Sequence, residues 1–252
     1  MLPRFLVPSL APDDEIVTLP PDEARHLARV LRLRSGEAVR VFDGRGHEFL
    51  ARVLEIGGKS VKVRLIERVE AAPESPLHLT VAQAVLTGDK MDGVVRDLTM
   101  LGATAVQPLV SARTEVSLGT VRRSGRTERW RRVAAASAKQ CGRAVVPPVA
   151  EARELQDWLT EDTSGVRLIL VEPAGDVRAG DLGAWSASGN RPLSSVALLV
   201  GPEGGWTREE ATAAVSAGFV PWTLGGRTLR ADAAPIVAVS ILQFLWGDLS
   251  HT

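Results

Sequence analysis

The sequence contains a single cysteine, Cys141, among 252 residues. That excludes a disulfide framework and a metal site built from several thiolates. Histidines are few and scattered (His26, His47, His78, His251), so no metal is expected. Long apolar runs are missing as well. The longest, near Ile236 to Trp246, contains Ser240 and Gln243 and falls far short of the ~20 residues that span a bilayer. No apolar core follows Met1-Leu-Pro-Arg-Phe5, which argues against a signal peptide. With 45% hydrophobic and 24% charged residues, the composition excludes disordered, collagen-like and coiled-coil classes. A cytoplasmic protein with no membrane partner is expected. Net charge is lacking too, since 30 basic residues balance 30 acidic ones.

That zero is a sum and not a distribution. Residues 113–143 carry nine basic and two acidic side chains, for +7, whereas residues 144–252 carry seven and 13, for −6. Lysine fills only four of the 30 basic positions, and the other 26 are arginine, which suits bidentate phosphate contact and base stacking. A codon-biased genome accounts for most of that ratio. It does not account for the clustering of Arg122, Arg123, Arg126, Arg129, Arg131, Arg132, Lys139 and Arg143. Such a run is either a solvated helix face or a surface for RNA or phosphate.

The pattern divides the chain into a module of residues 1–72 and a larger domain of residues 73–252, with Ala71 to Pro76 as the linker. Pro20-Pro21-Asp22 starts a helix in which Ala24, Leu27, Ala28 and Leu31 recur at helical spacing. Arg25, Arg29 and Arg32 then share its opposite face, and Ser35-Gly36 ends it. From Ala38 to Val69 the period changes to two, with turns at Asp43-Gly44 and Gly57-Gly58, which predicts a small barrel or sheet. Beyond the linker, strands and helices alternate. Strands are expected at Leu77 to Leu86, Ala105 to Val110, Val166 to Val171, Val196 to Val200 and Pro221 to Leu224. Helices are expected at Asp89 to Leu101, Thr127 to Gly142, Glu151 to Leu159, Thr207 to Val215 and about Asp232 to Leu245. The alternation predicts an α/β domain with a mainly parallel sheet.

Two glycine segments stand out. A buried strand runs into Gly201-Pro202-Glu203-Gly204-Gly205, and Thr207 with Glu210 caps the helix that follows. Ligands of α/β sheets bind at the carboxyl ends of strands, and glycines let backbone approach closely. No Gly-Lys-Ser/Thr follows, so this is not a Walker loop, nor does it match the dinucleotide fingerprint. On spacing alone, a tight strand-to-helix turn accounts for it. Leu224-Gly225-Gly226-Arg227-Thr228-Leu229-Arg230 repeats the arrangement, with Asp232 close behind. A third strand end, Leu170-Val171-Glu172-Pro173, also stops at proline.

These segments resemble the S-adenosylmethionine-binding loops of the trefoil-knotted, SPOUT-class RNA methyltransferases, and more narrowly the bacterial 16S ribosomal RNA uridine-N3 methyltransferases. Pro3-Arg4-Phe5, the helix Ala24 to Leu33, Phe42-Asp43-Gly44, Glu74-Ser75-Pro76-Leu77, Gly88-Asp89-Lys90-Met91 and Gln140-Cys141-Gly142-Arg143 also match, in order along nearly the whole chain. The resemblance implies a PUA-like RNA-binding β-barrel, a C-terminal α/β domain with a deep trefoil knot, and a homodimer in which the helix near Pro235 to Trp246 helps form the interface. It implies S-adenosylmethionine as methyl donor and 16S ribosomal RNA or the small ribosomal subunit as partner. Donor contacts would come from Leu170, Glu172 and Pro173, from Gly201, Pro202, Glu203, Gly204 and Gly205, and from Leu224, Gly225 and Leu229.

Methyl transfer from a sulfonium needs no metal, but uracil N3 is protonated at neutral pH. A base, or a group that stabilises the uracil anion, is therefore required. Arg230 is expected to stabilise that anion or orient the uridine. Asp232 is expected to act as base or to hold Arg230, with helix capping as its alternative role. Arg4, Arg25, Arg29, Arg32, Lys90, Arg122, Arg123, Arg126 and Arg143 are the expected RNA contacts. Where the family usually has Thr-Glu-Thr after its Leu-Arg pair, this chain has Ala231-Asp232-Ala233, so both hydroxyls are absent and the carboxylate is one methylene shorter. The alternatives are a SPOUT-class enzyme acting on another RNA position, or a non-catalytic RNA-binding ribosome-assembly factor.

Overall fold

The computed structural model describes residues 2–11, 13–57, 60–161, 165–173 and 194–250. Contacts divide them into two units. The first comprises residues up to Glu74 together with Ala135–Val146, and the second comprises Ser75–Ala134 and the residues from Pro147 onward.

In the first unit, β1 (Arg4–Leu6), β3 (Ala38–Phe42), β4 (Glu48–Ile56), β5 (Val61–Val69) and β2 (Ile16–Thr18) form one mixed sheet in that order. β1 runs parallel to β3, and the remaining pairs are antiparallel. The alternation read from sequence is real: Val39, Val41, Ala51, Val53, Val61 and Val63 all face one core with Phe5 and Leu27. Register shifts in β4 at Leu50/Ala51 and Val53/Glu55 bend the strand and curl the sheet. Gly44, at φ 77°, makes the turn after Phe42. Of the second expected turn, Gly57 is described and Gly58 lies outside the described residues.

The first helix departs from expectation. α1 covers only Pro21–Arg25, and His26–Val30 continues as a π-helical turn in which the Leu31 N–H donates to the His26 carbonyl at 3.0 Å. Arg32 then adopts φ 55°, the one left-handed non-glycine backbone among the described residues. The wider turn breaks the i, i+4, i+7 phase. Arg25, Arg29 and Arg32 are all exposed, but they do not form a single helix stripe.

In the second unit six strands lie in the order β11-β9-β10-β6-β7-β8, every neighbouring pair parallel. They are β6 (His78–Ala84), β7 (Ala105–Val110), β8 (Arg153–Glu154), β9 (Val166–Leu170), β10 (Ser195–Val200) and β11 (Val220–Trp222). The near-continuous burial of β10 and β9 is what a parallel sheet covered on both faces requires. The helices are α2 (Lys90–Met100), α3 (Leu118–Arg123), α4 (Arg126–Cys141, shared with the first unit), α5 (Leu155–Leu159), α6 (Arg208–Ser216) and α7 (Ala234–Trp246). Met91, Val94, Val95 and Leu98 are buried as their spacing predicts. Thr207 accepts from the Glu210 N–H while the Glu210 side chain returns to the Thr207 N–H, completing the expected capping box.

Three expected elements change. The helix expected over Glu151 to Leu159 shrinks to α5, because Arg153–Glu154 pairs instead with Leu109 and Val110 of β7. The strand expected at Pro221 to Leu224 ends at Trp222, since Leu224 has already turned toward the cavity described below. The last helix starts at Ala234, not Asp232, and its N-cap, Ala233, makes no side-chain cap.

Within α7, Gln243 is fully buried. Its Nε2 donates to the Leu101 carbonyl at 2.9 Å, and its Oε1 accepts from the Ser75 hydroxyl at 2.6 Å, so the one amide joins α7 to the end of α2 and to the linker. Val237, Ile241 and Phe244 lie at i, i+4 and i+7 on the outer face, with Phe244 61% exposed. No helix among the described residues is long and apolar enough to cross a membrane.

Candidate functional site

Because β11, β9 and β10 are adjacent and parallel, the loops that leave them converge at one edge of the sheet. They enclose a cavity of about 780 Å³ within the second unit. Leu170, Glu172 and Pro173 line it from β9, and Gly201, Pro202, Glu203 and Gly205 from β10. Leu224, Leu229, Arg230 and Asp232 line it from beyond β11, and Lys90 from the start of α2. The fold therefore gathers 12 of the expected site residues around one space.

Two expected donor contacts do not join them. Gly204 turns toward Arg113: the Arg113 Nη1 donates to its carbonyl at 2.9 Å, and a Cβ on Gly204 would lie 3.1 Å from the Arg113 Cβ. Gly225, at φ 82°, is exposed with nothing within 4 Å of a Cβ position, so its glycine serves the backbone turn. Gly201, which lines the cavity, has a packing role as well. A Cβ there would meet the Trp206 indole at 3.2 Å, so the glycine makes room for a tryptophan. Trp206 Nε1 in turn donates to the Leu170 carbonyl at 3.0 Å and ties the β10 loop to the end of β9. Gly205, at φ 68°, would place a Cβ 2.9 Å from Glu172 Oε1. Close packing therefore also demands these glycines, within the β10 loop at Gly201 and against the β9 loop at Gly205.

Arg230 and Asp232 face each other at the cavity mouth, Nε to Oδ1 at 3.0 Å and Nη2 to Oδ2 at 2.9 Å. The Arg230 guanidinium holds the Asp232 carboxyl below its usual range, and Asp232 in turn raises Arg230. Asp232 therefore holds Arg230 and does not cap α7; its carboxylate survives the shortening by one methylene with a partner in reach. Glu203 Oε1 accepts from the Lys90 ammonium at 2.8 Å and from the Thr87 hydroxyl and N–H at 2.7 and 3.1 Å. Desolvation alone would raise the Glu203 carboxyl, but these donors outweigh it and hold it at about 2.

Among the expected RNA contacts, Arg4 is corrected outright. It is 6% exposed, with Nε and Nη2 on Glu48 at 2.9 and 3.1 Å, and its remaining donors reach the carbonyls of Ala138, Lys139 and Arg143 at 3.0–3.1 Å. A guanidinium spent on carbonyls at and just beyond the end of α4 offers RNA no surface. This grip also draws Ala135–Val146, expected in the second domain, into the first unit. Arg143 is likewise 9% exposed and lies on Glu74 at 3.0 Å. Within the basic segment, Arg129 pairs with Asp92, Arg131 with Glu128 and Glu151, and Lys139 with Glu23. Arg122 and Arg123 stay exposed at the end of α3, and Arg126 is half-buried at the start of α4. The +7 segment is therefore partly neutralised by carboxylates from elsewhere in the fold.

Arg227 and Thr228, inside the expected segment Leu224 to Arg230, also line the cavity, whereas Trp206, Arg113 and Arg208 line it and were not anticipated. Applying the strand-end rule to β7 would have pointed to Arg113, and Trp206 follows the glycine loop directly.

The comparisons with known proteins agree with this architecture. A family model for an RNA methyltransferase domain matches residues 73–243, and one for an RNA methyltransferase PUA domain matches residues 19–66. The chain is 34% identical over 229 residues to the ribosomal RNA small subunit methyltransferase E of Synechocystis sp., covering 91% of this chain and 73% of the relative. Its counterpart in Bacillus subtilis is 28% identical, with 88% of each chain covered. The crystal structure of a ribosomal RNA small subunit methyltransferase E from Neisseria gonorrhoeae bound to S-adenosylmethionine superposes with a TM-score of 0.87 at 35% identity, covering 99% of this chain and all of that one. With a parallel sheet, a cavity at its carboxyl edge and these matches along almost its whole length, the chain belongs to the RNA methyltransferase family whose members carry a PUA domain.

Proposed function

We propose that the chain transfers a methyl group from S-adenosylmethionine to N3 of a uridine in 16S ribosomal RNA. The observation that carries this reading is the placement of the Arg230–Asp232 pair at the mouth of a cavity walled by three strand-end loops. A volume of about 780 Å³ suits a cosubstrate of this size. Its lining suits one too: Leu170, Val171, Pro202, Leu224 and Leu229 offer apolar walls to an adenosyl group, and Glu172 offers a carboxylate to a cationic ligand. The donor, when bound, supplies an electrophilic methyl carbon. The protein's part is to orient the uridine, exclude water and favour loss of the N3 proton. A carboxylate held below its usual range is a poor base, so Asp232 acts by fixing Arg230, and Arg230 meets the developing negative charge.

The same reading includes a PUA-like barrel built on the first unit's curled sheet and a trefoil knot in the second unit. It also includes a homodimer that covers the exposed stripe of Val237, Ile241 and Phe244 on α7. RNA would be held by the exposed arginines Arg25, Arg29 and Arg32 of the first unit, and by Arg122, Arg123 and the half-buried Arg126 of the second.

The test is nucleoside mass spectrometry of 16S ribosomal RNA from a strain lacking the gene, before and after incubation with purified protein and S-adenosylmethionine. One 3-methyluridine should be missing before incubation and restored after it. A methyl group restored on another atom, or none restored, refutes the assignment.

A further inference from the structure

Glu203 directs its carboxylate to the loop beside it. Oε1 takes three donors, two from Thr87 and one from Lys90, and Lys90 Nζ also donates to Thr87 Oγ1 at 3.1 Å. Thr87 and Lys90 follow β6, Glu203 follows β10, and these strands are neighbours, so the three side chains bracket two adjacent strand ends. An exposed lysine samples many rotamers, but this one is fixed at two points and still lines the cavity. An ammonium has three N–H donors. Two are used here, which leaves one for a ligand.

We infer that Lys90 is a second cation, alongside Arg230, that stabilises the uracil after N3 has lost its proton, and that Glu203 is the residue positioning it. This rests on the function proposed above. In the step concerned, the N3–H proton passes to solvent and the nitrogen lone pair left behind forms the N–CH3 bond. The C–S bond of the donor breaks, its electron pair staying on sulfur. The groups facing Lys90 agree with the role. Glu203 from the β10 loop is its ion-pair partner, and Asp232 before α7 senses its charge and is itself held by Arg230. Arg113, Arg208, Arg227 and Glu172 complete the charged lining, so five cations face three carboxylates. Two of those carboxylates are already paired, and both are held too low to take the proton. Such a site promotes deprotonation by making the anion more stable.

The test uses the full chain and an RNA oligonucleotide spanning the methylated position found by mass spectrometry, with a single 5-fluorouridine there. Fluorine-19 NMR follows N3 ionisation as pH is varied, without turnover. A cation within ion-pair range lowers an acid's pKa by one to three units. The bound base should therefore ionise at lower pH than the free oligonucleotide. Lys90→Met should raise the midpoint by about one unit, Lys90→Arg should restore it, and Glu203→Gln should fall between. In turnover, kcat below the midpoint should fall about tenfold in Lys90→Met with KM for S-adenosylmethionine unchanged. An unchanged midpoint in Lys90→Met overturns the role of Lys90; should that variant fail to fold, Lys90→Gln is read the same way. An unchanged midpoint in Glu203→Gln with a shifted one in Lys90→Met overturns only the positioning role. Absence of 3-methyluridine from wild-type reactions instead refutes the underlying function.

Discussion

Arg230 lies across Asp232 in a two-point grip, Nε on Oδ1 and Nη2 on Oδ2, although only one residue separates them in sequence. The grip turns the carboxylate into a splint and gives it no free lone pair facing the charge it neutralises. Arg230→Ala should abolish methylation while donor binding stays measurable, and Asp232→Asn should lower kcat by about tenfold through a loosened guanidinium. Tritiated-methyl transfer beside calorimetry of S-adenosylmethionine checks both, and wild-type activity in Arg230→Ala refutes the assignment.

Gly201 predicts a loss transmitted through a neighbour. The β-carbon of Gly201→Val would press on the Trp206 indole and strain the 3.0 Å bond from Nε1 to the Leu170 carbonyl. Donor affinity should fall at least tenfold, and Trp206→Leu, which removes the obstacle and the bond together, should also weaken binding. Unchanged calorimetric affinity in Gly201→Val would show that the loop does not border the donor site.

Glu203 sets an acid limit on local stability. Its carboxyl lies at about 2 in the folded protein against 4.5 as an ordinary glutamate. The folded value is the lower one, so the contribution is fully present above about pH 4.5 and fades as pH falls toward 2. Urea denaturation of wild type and Glu203→Gln should differ most at neutral pH and converge across that acid window. A constant difference down to pH 2 would contradict the ion-pair origin.

Arg4 and Glu48 carry a stability prediction. Arg4→Met leaves a carboxylate 1% exposed with Arg40 at 3.6 Å as the ion-pair partner remaining among the described residues, and strips three carbonyls at and beyond the end of α4 of a donor. Breaking a buried pair from one side costs about 3–5 kcal/mol. The double change Arg4→Met with Glu48→Gln should cost less than the single one. Denaturation midpoints decide it, and a loss under 1 kcal/mol would mean the pair is dispensable.

The exposed arginines should act through salt. Arg122→Glu with Arg123→Glu should weaken binding to 16S ribosomal RNA and flatten the slope of log affinity against log salt, by about one for each phosphate no longer neutralised. Filter binding across a salt series measures this, and an unaltered slope would place the RNA elsewhere.

Local signals carried the sequence reading furthest where structure is decided locally. The unit from Val196 to Val215 is legible because burial of a parallel strand, a glycine turn and a capping box each act within a few residues. The alternation in β3, β4 and β5 is legible for the same reason. Illegible features depend on distant partners. Arg153–Glu154 becomes a strand only because β7 presents a free edge more than 40 residues earlier. Arg4 is one arginine among 26, and its acceptors are mostly carbonyls, which no side-chain pattern displays. The cavity glycines were found by type, but their packing against Glu172 and Arg113 was not legible, because those neighbours come from loops that only the fold brings together.

The grip of Arg4 on Ala138, Lys139 and Arg143 has a consequence for biosynthesis. Arg4 leaves the ribosome well before three of its acceptors, which are made more than 130 residues later. Until they emerge, Arg4 has Glu48 as its acceptor but lacks the three carbonyls that take its remaining donors. The first unit, early in sequence, is therefore late in completion. It cannot be complete until Ser75–Ala134 of its neighbour have been translated, because Ala135–Val146 come after them in the chain.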